Sequence, residues 1–129
     1  MTWGSVFAVF LACHVTGDFL LQTEWQALTK VQGLGTADGR HALMSHATVY
    51  TCAFIPALIW VASARSVSRA IVVAVLIFVP HILVDDGRMV RGWMREVKRS
   101  PNATPSLRLM VDQSFHLVCL LGAAFVAAG

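Results

Sequence analysis

Charge is scarce in this sequence. Only 13% of its 129 residues are charged and 57% are hydrophobic, against about 25% and about 45–50% in soluble domains. With a mean hydropathy of +0.66, that balance excludes an ordinary soluble domain. It reads as an integral membrane protein built as one domain, residues 1–129. Cysteine is thin as well. Cys13, Cys52 and Cys119 lie far apart inside apolar runs, with no C-x-x-C pair, which argues against a disulfide framework and for small buried side chains. No basic stretch precedes the first apolar run and no small-residue cleavage site follows it, so that run reads as a retained span. Repeats and low-complexity tracts are absent.

What is present is long apolar helix. A span needs about 20 mostly apolar residues, and four stretches qualify, at about 3–22, 42–62, 67–85 and 107–127. The expected fold is all-α, an integral membrane four-helix bundle. The links between the first and second spans and between the third and fourth are long. The first carries Lys30 and Arg40, and the third carries Arg88, Arg91, Arg95, Lys98, Arg99 and Arg108. The short second link has only Arg65 and Arg69. The positive-inside rule places the two long links in the cytoplasm and both termini outside, with a bacterial inner membrane as the expected location. The run "RMVRGWMREVKR" suits an anionic headgroup surface or a loop that only fixes topology. "ATPSLR" is a helix start, with Thr104 as cap and Pro105 in the first turn. Pro80 is expected to kink the third span, and Pro56 to pack or bend the second.

Against this apolar background the polar residues stand out. His14 precedes Asp18 by four residues, His81 precedes Asp85 by four, and His116 follows Asp112 by four. Residues four apart share a helix face. The order reverses in the fourth span, which runs the other way. All three pairs therefore put Asp nearer the cytoplasm and His about 6 Å deeper, at 1.5 Å per residue. His46 lies about one turn into the second span from the same side. Ionisable residues in a membrane are costly and mark function. Carboxylate and imidazole at one level suit zinc, manganese or iron, and carboxylate suits magnesium. Helix bundles build such sites from inward-facing side chains.

The expected ligands are His14, Asp18, His46, His81, Asp85, Asp112 and His116. Seven exceed one tetrahedral shell, so two divalent ions would use them more fully, and two ions can clamp both oxygens of a phosphoester displacement. A single pair could equally be a mutual hydrogen bond. Gln22 and Gln113 could orient carboxylates from outside the ligand set, and His41 lies at the mouth, off the face of His46. Asp86 sits about 100° around the helix from Asp85 and reads as a helix-end residue. Arg88 and Arg108, one turn from Asp85 and Asp112, could receive a phosphate group or serve only as positive-inside anchors.

The segments "HVTGDFLLQT", "HALMSH", "HILVDD" and "DQSFHL" together resemble a family of small bacterial and phage membrane proteins of unknown function. Its recurrent elements are H-x-x-G-D-F-x-L-Q, a His-containing second helix, H-x-x-x-D and D-Q-x-x-H. A looser similarity to predicted membrane-bound metal-dependent hydrolases implies a reaction class only. "DDGRMVR" echoes the aspartate motif of CDP-alcohol phosphotransferases, but the spacing is wrong and the second aspartate pair is missing. Three functions compete: a metal-dependent hydrolase of a phosphoester or lipid-like substrate at the cytoplasmic face, a non-catalytic metal-stabilised module that recruits a partner, and a metal-ion or proton transporter. The catalytic residues are not assigned, since no carboxylate is clearly left over as a general base. The expected partners are the lipid bilayer, a phosphate-bearing lipid or small substrate, and further copies of the chain, with no nucleic acid.

Overall fold

A computed structural model describes residues 1–129, and its only regular secondary structure is helix, with no strands. Helix α1, Trp3–Val15, starts on a capping box between Thr2 and Ser5 and passes into a π-helical turn, Thr16–Leu20. A second capping box, Thr23 with Gln26, starts α2, Glu24–Thr29, which tightens into a 3-10 turn, Lys30–Gly35. Thr36 caps α3, Ala37–Cys52, and α4, Ile55–Ala64, comes next with Pro56 in its first turn. Ser66 caps α5, Val67–Asp85. Gly87, at φ +77°, ends it and leads into α6, Arg88–Glu96. Thr104 caps α7, Pro105–Ala128.

Three stretches are long and apolar enough to cross a membrane: Trp3–Leu20, Val67–Asp85 and Pro105–Ala128. The α3–α4 pair makes a fourth if its two halves act together, and it bends by 50°. The second span therefore differs from expectation. It starts earlier, at Ala37, and breaks at Ala53–Phe54. Pro56 lies just past that break, where a first-turn proline has no hydrogen bond to lose. Pro80, by contrast, lies inside α5, which runs on to Asp85 without interruption.

The two long links also depart from expectation, because both fold. The chain has seven α-helices where four were expected. Helix α2 and the 3-10 turn lie back against α3, and α6 lies against α5 and α7. Among the spans, α7 packs on α1 and α5, while α4 touches both α1 and α5. Their shared interior is an apolar core of Val6, Phe10, Tyr50, Phe54, Val61, Val73, Ile77 and Leu120, with small alanines between them. A second, smaller core of Val84, Val90, Met94 and Val111 fixes α6. Large apolar side chains such as Ile59, Ile71, Val75 and Val118 remain exposed on the spans. They would be stranded in water and are at home in lipid.

The first and second spans cross tightly at Gly17. A Cβ there would lie 2.8 Å from Tyr50 Cδ2 and 3.1 Å from Tyr50 Cα. The second of these is backbone and cannot swing aside. Gly122, on α7, has nothing within 4 Å of its Cβ position. Gly17→Ala is expected to destabilise by about 1–3 kcal/mol through overpacking. Gly122→Ala should be neutral or mildly stabilising through helix propensity. Thermal unfolding in detergent separates the two, and equal midpoints would contradict the tight crossing.

Candidate metal centre

Between the two apolar cores lies a buried polar cluster drawn from all four spans. The π turn contributes Asp18, α3 contributes His46, α5 contributes His81 and Asp85, and α7 contributes Asp112 and His116. All are buried except Asp112, which is half-buried.

Asp18, His46, His81 and Asp85 form one group whose ligand atoms all lie within 4.8 Å of one another. His46 Nε2 is 3.1 Å from Asp18 Oδ1 and 3.3 Å from Asp85 Oδ2. His81 Nε2 is 3.3 Å from Asp85 Oδ2 and 3.9 Å from Asp18 Oδ1. The two Nε2 atoms are 3.1 Å apart. A tetrahedral ion bound at about 2.0–2.2 Å needs donor–donor edges of about 3.3–3.6 Å. These distances bracket the required length, and the two edges to Asp85 meet it.

Asp85, Asp112 and His116 form a second group. His116 Nε2 is 3.2 Å from Asp85 Oδ1 and 3.5 Å from Asp112 Oδ2. Asp85 belongs to both groups, with one oxygen turned to each. These buried imidazoles and carboxylates could hold a metal ion.

His14 is placed outside both groups. Its Nδ1 is 3.0 Å from Tyr50 Oη and its Nε2 is 2.8 Å from Gln113 Oε1. Gln113 Nε2 in turn donates to Asp18 Oδ2 at 2.9 Å and Asp112 Oδ2 at 3.2 Å. Because the carboxylates only accept, the amide nitrogen must face them and its oxygen must face His14. His14 then donates from Nε2 and accepts the Tyr50 hydroxyl at Nδ1. A single directed chain runs from Tyr50 through His14 and Gln113 to two carboxylates. Tyr50 also stacks on the His81 ring, with centroids 3.6 Å apart. The Nδ1 atoms of His46 and His81 are buried without a partner.

The remaining expected residues fall differently. Gln22 accepts from Lys30 Nζ at 2.7 Å and contacts no carboxylate in its hydrogen bonding. His41 is exposed and stands edge-on to Trp25. Asp86 is buried and accepts from the Leu34 backbone N–H at 2.7 Å, which ties the 3-10 turn to the end of α5. Arg88 pairs with Asp86 at 3.0 Å instead of facing the cluster. Arg108 donates to the Pro101 carbonyl and lines the cavity above the cluster.

Three contributors were not anticipated. Lys30 reaches in to Asp85 Oδ2 at 2.8 Å. Tyr50 supplies the far end of the hydrogen-bonded chain, and Arg91 lines the cavity. The T-x-x-Q at 23–26 is a capping-box signature that signals the returning link. Nothing local marks Lys30 itself.

Residues 6–128 match a family described as "Protein of unknown function (DUF3307)". No curated protein and no solved structure matches the chain. The match covers nearly the whole sequence, which fits the expectation of a family without a known activity.

Tyr50→Phe would leave His14 Nδ1 buried without its donor. The expected cost is about 1–3 kcal/mol. Tyr50→Phe combined with His14→Phe should cost less than the two single changes added, since the orphaned group is then gone. Additive losses in detergent unfolding would show that the contact is not coupled.

Proposed function

The chain belongs to the DUF3307 family, whose description names no activity, and from its site we propose a membrane-embedded metal-dependent hydrolase acting on a phosphoester or lipid-like substrate. The observation that carries this reading is Asp85 shared by two donor groups, with two edges of tetrahedral length to His46 and His81 in the first and His116 at 3.2 Å in the second. Asp85 would be shared by both ions if each group were filled, and a pair of ions can stabilise both the attacking and the leaving oxygen of a phosphoester. Zinc, manganese, iron or magnesium fits the donors. Ions held by Asp18, His46, His81, Asp85, Asp112 and His116 would supply Lewis-acid activation of water for phosphoester hydrolysis. The proposed setting is a bacterial inner membrane, and by the positive-inside rule the basic residues of the long links favour a cytoplasmic-face site with both termini outside.

One observation favours a second reading, a non-catalytic module locked by metal. No buried carboxylate is free to act as general base: Asp18, Asp85 and Asp112 are in the cluster, and Asp86 is held by Leu34 and Arg88. The metal would have to activate water unaided. Transport has no comparable support, because the core on the far side of the cluster is apolar.

Elemental analysis of protein purified in detergent without chelators tests the metal. Asp85→Ala is expected to abolish binding, since it serves both groups. Asp18→Ala and Asp112→Ala should each lower the metal content, while Asp86→Ala and Asp38→Ala retain it. Wild-type protein without metal, or Asp85→Ala with a full complement, would refute the site. Metal-loaded protein that hydrolyses no phosphomonoester or phosphodiester would favour the structural module.

A further inference from the structure

A cavity of about 470 Å³ opens directly above the cluster. Its floor includes Asp18, Asp85 and Asp112, and its wall includes Lys30, Arg91 and Arg108. Two of these cations are uncommitted. Arg88 and Arg95 are each paired with an acid, Asp86 and Glu96. Arg91 and Arg108 have no ion pair, and Arg108 spends one N–H on the Pro101 carbonyl. Both also line a neighbouring cavity of about 380 Å³, so the two spaces meet at this pair of guanidiniums.

Guanidinium forks with free N–H groups match phosphate oxygens. Apolar Phe19, Val31 and Leu109 complete part of the lining, and each is more than half exposed on the outer surface. A ligand can therefore set an anionic group between the arginines and leave an apolar portion toward the bilayer.

We infer that Arg91 and Arg108, with Lys30, form the recognition site for a phosphate monoester group placed over the metal centre. This rests on the metal reading above. Asp18, Asp85 and Asp112 outnumber their one ammonium partner, Lys30, and this excess of negative charge opposes a phosphate dianion until an ion is bound, so ion and phosphate favour each other. Linkage makes that dependence reciprocal: metal tightens phosphate binding and phosphate tightens metal binding by the same factor. The shared chemistry is the phosphate group, whether it arrives free or on a lipid. The apolar lining favours the lipid.

The test uses full-length protein in detergent, loaded with Mn²⁺, and two probes: inorganic phosphate and dioctanoyl phosphatidic acid. Metal content is measured separately on every sample. Arg91→Gln and Arg108→Gln are expected to keep their metal and unfolding midpoint. Each should lose about ten- to hundredfold in phosphate-probe affinity, as one charge-assisted contact implies. Arg91→Lys should recover only part of it, because the fork is lost. Arg95→Gln makes the same change in net charge on the same helix and should stay within about twofold. Tighter binding of the lipid probe identifies a lipid ligand, and equal binding of both identifies the free phosphate group. Wild-type affinity in both Arg91→Gln and Arg108→Gln, with metal retained, overturns the inference and leaves the metal site standing. Absence of metal from the wild type overturns the metal reading itself.

Discussion

A carboxylate taken out of water is tolerated only when its charge is answered at close range, and Asp85 is where this chain meets that constraint. Its two oxygens face Lys30, His46, His81 and His116 at 2.8–3.3 Å. Removing an ion from water costs several kcal/mol even after relaxation, and the partners must be well placed to offset it. The chain supplies them from the 3-10 turn, α3, α5 and α7 together. The returning first link exists in this arrangement to bring Lys30 in. Gly33 lets it do so: at φ +66° it runs so close to Asp86 that a Cβ would lie 2.6 Å from Oδ1. Asp86 then clamps the same turn by accepting the Leu34 N–H.

The four-residue rule explains which parts of the site were legible. His81 with Asp85, and Asp112 with His116, lie on regular α-helix and meet at 3.3 and 3.5 Å. His14 with Asp18 has the same spacing but spans the start of the π turn. A π segment adds a residue to the turn and rotates the residues beyond it. Asp18 then faces His46, while His14 faces Tyr50 and Gln113. No sequence signal distinguished that turn from ordinary helix. The spans were legible because hydropathy needs no tertiary information, whereas the bend at Ala53–Phe54 depends on packing.

The arginines repeat the lesson. Placing Arg88 above Asp85 assumes that the helix continues for three more residues. Gly87 stops it in the left-handed conformation, a common helix ending, and the chain restarts as α6 in a new direction. Arg88 turns out to Asp86, and Arg91 takes its place beside the cavity. The "DDG" in the sequence carried that stop signal. Lys30 carried none, since its reach depends on a fold-back through α2 and a 3-10 turn that only long-range contacts with α3 and α5 stabilise.

Charge balance then constrains what the centre can hold. Metal ligands act as carboxylates and neutral imidazoles. Counted this way, Asp18, Asp85 and Asp112 against Lys30 leave two negative charges in a low-dielectric interior. One divalent ion cancels them. A second ion in the Asp85–Asp112–His116 group leaves two positive charges, which would be costly to keep buried alone. A phosphate monoester dianion above the cluster would offset those charges, and the unpaired Arg91 and Arg108, which lie outside this count, add to the attraction on the side from which it would enter. The same counting makes a neutral or cationic ligand a poor occupant of the two-metal state. With metal bound as proposed, the electrostatics that would let this cluster sit inside a membrane would also favour an anionic ligand over a neutral or cationic one.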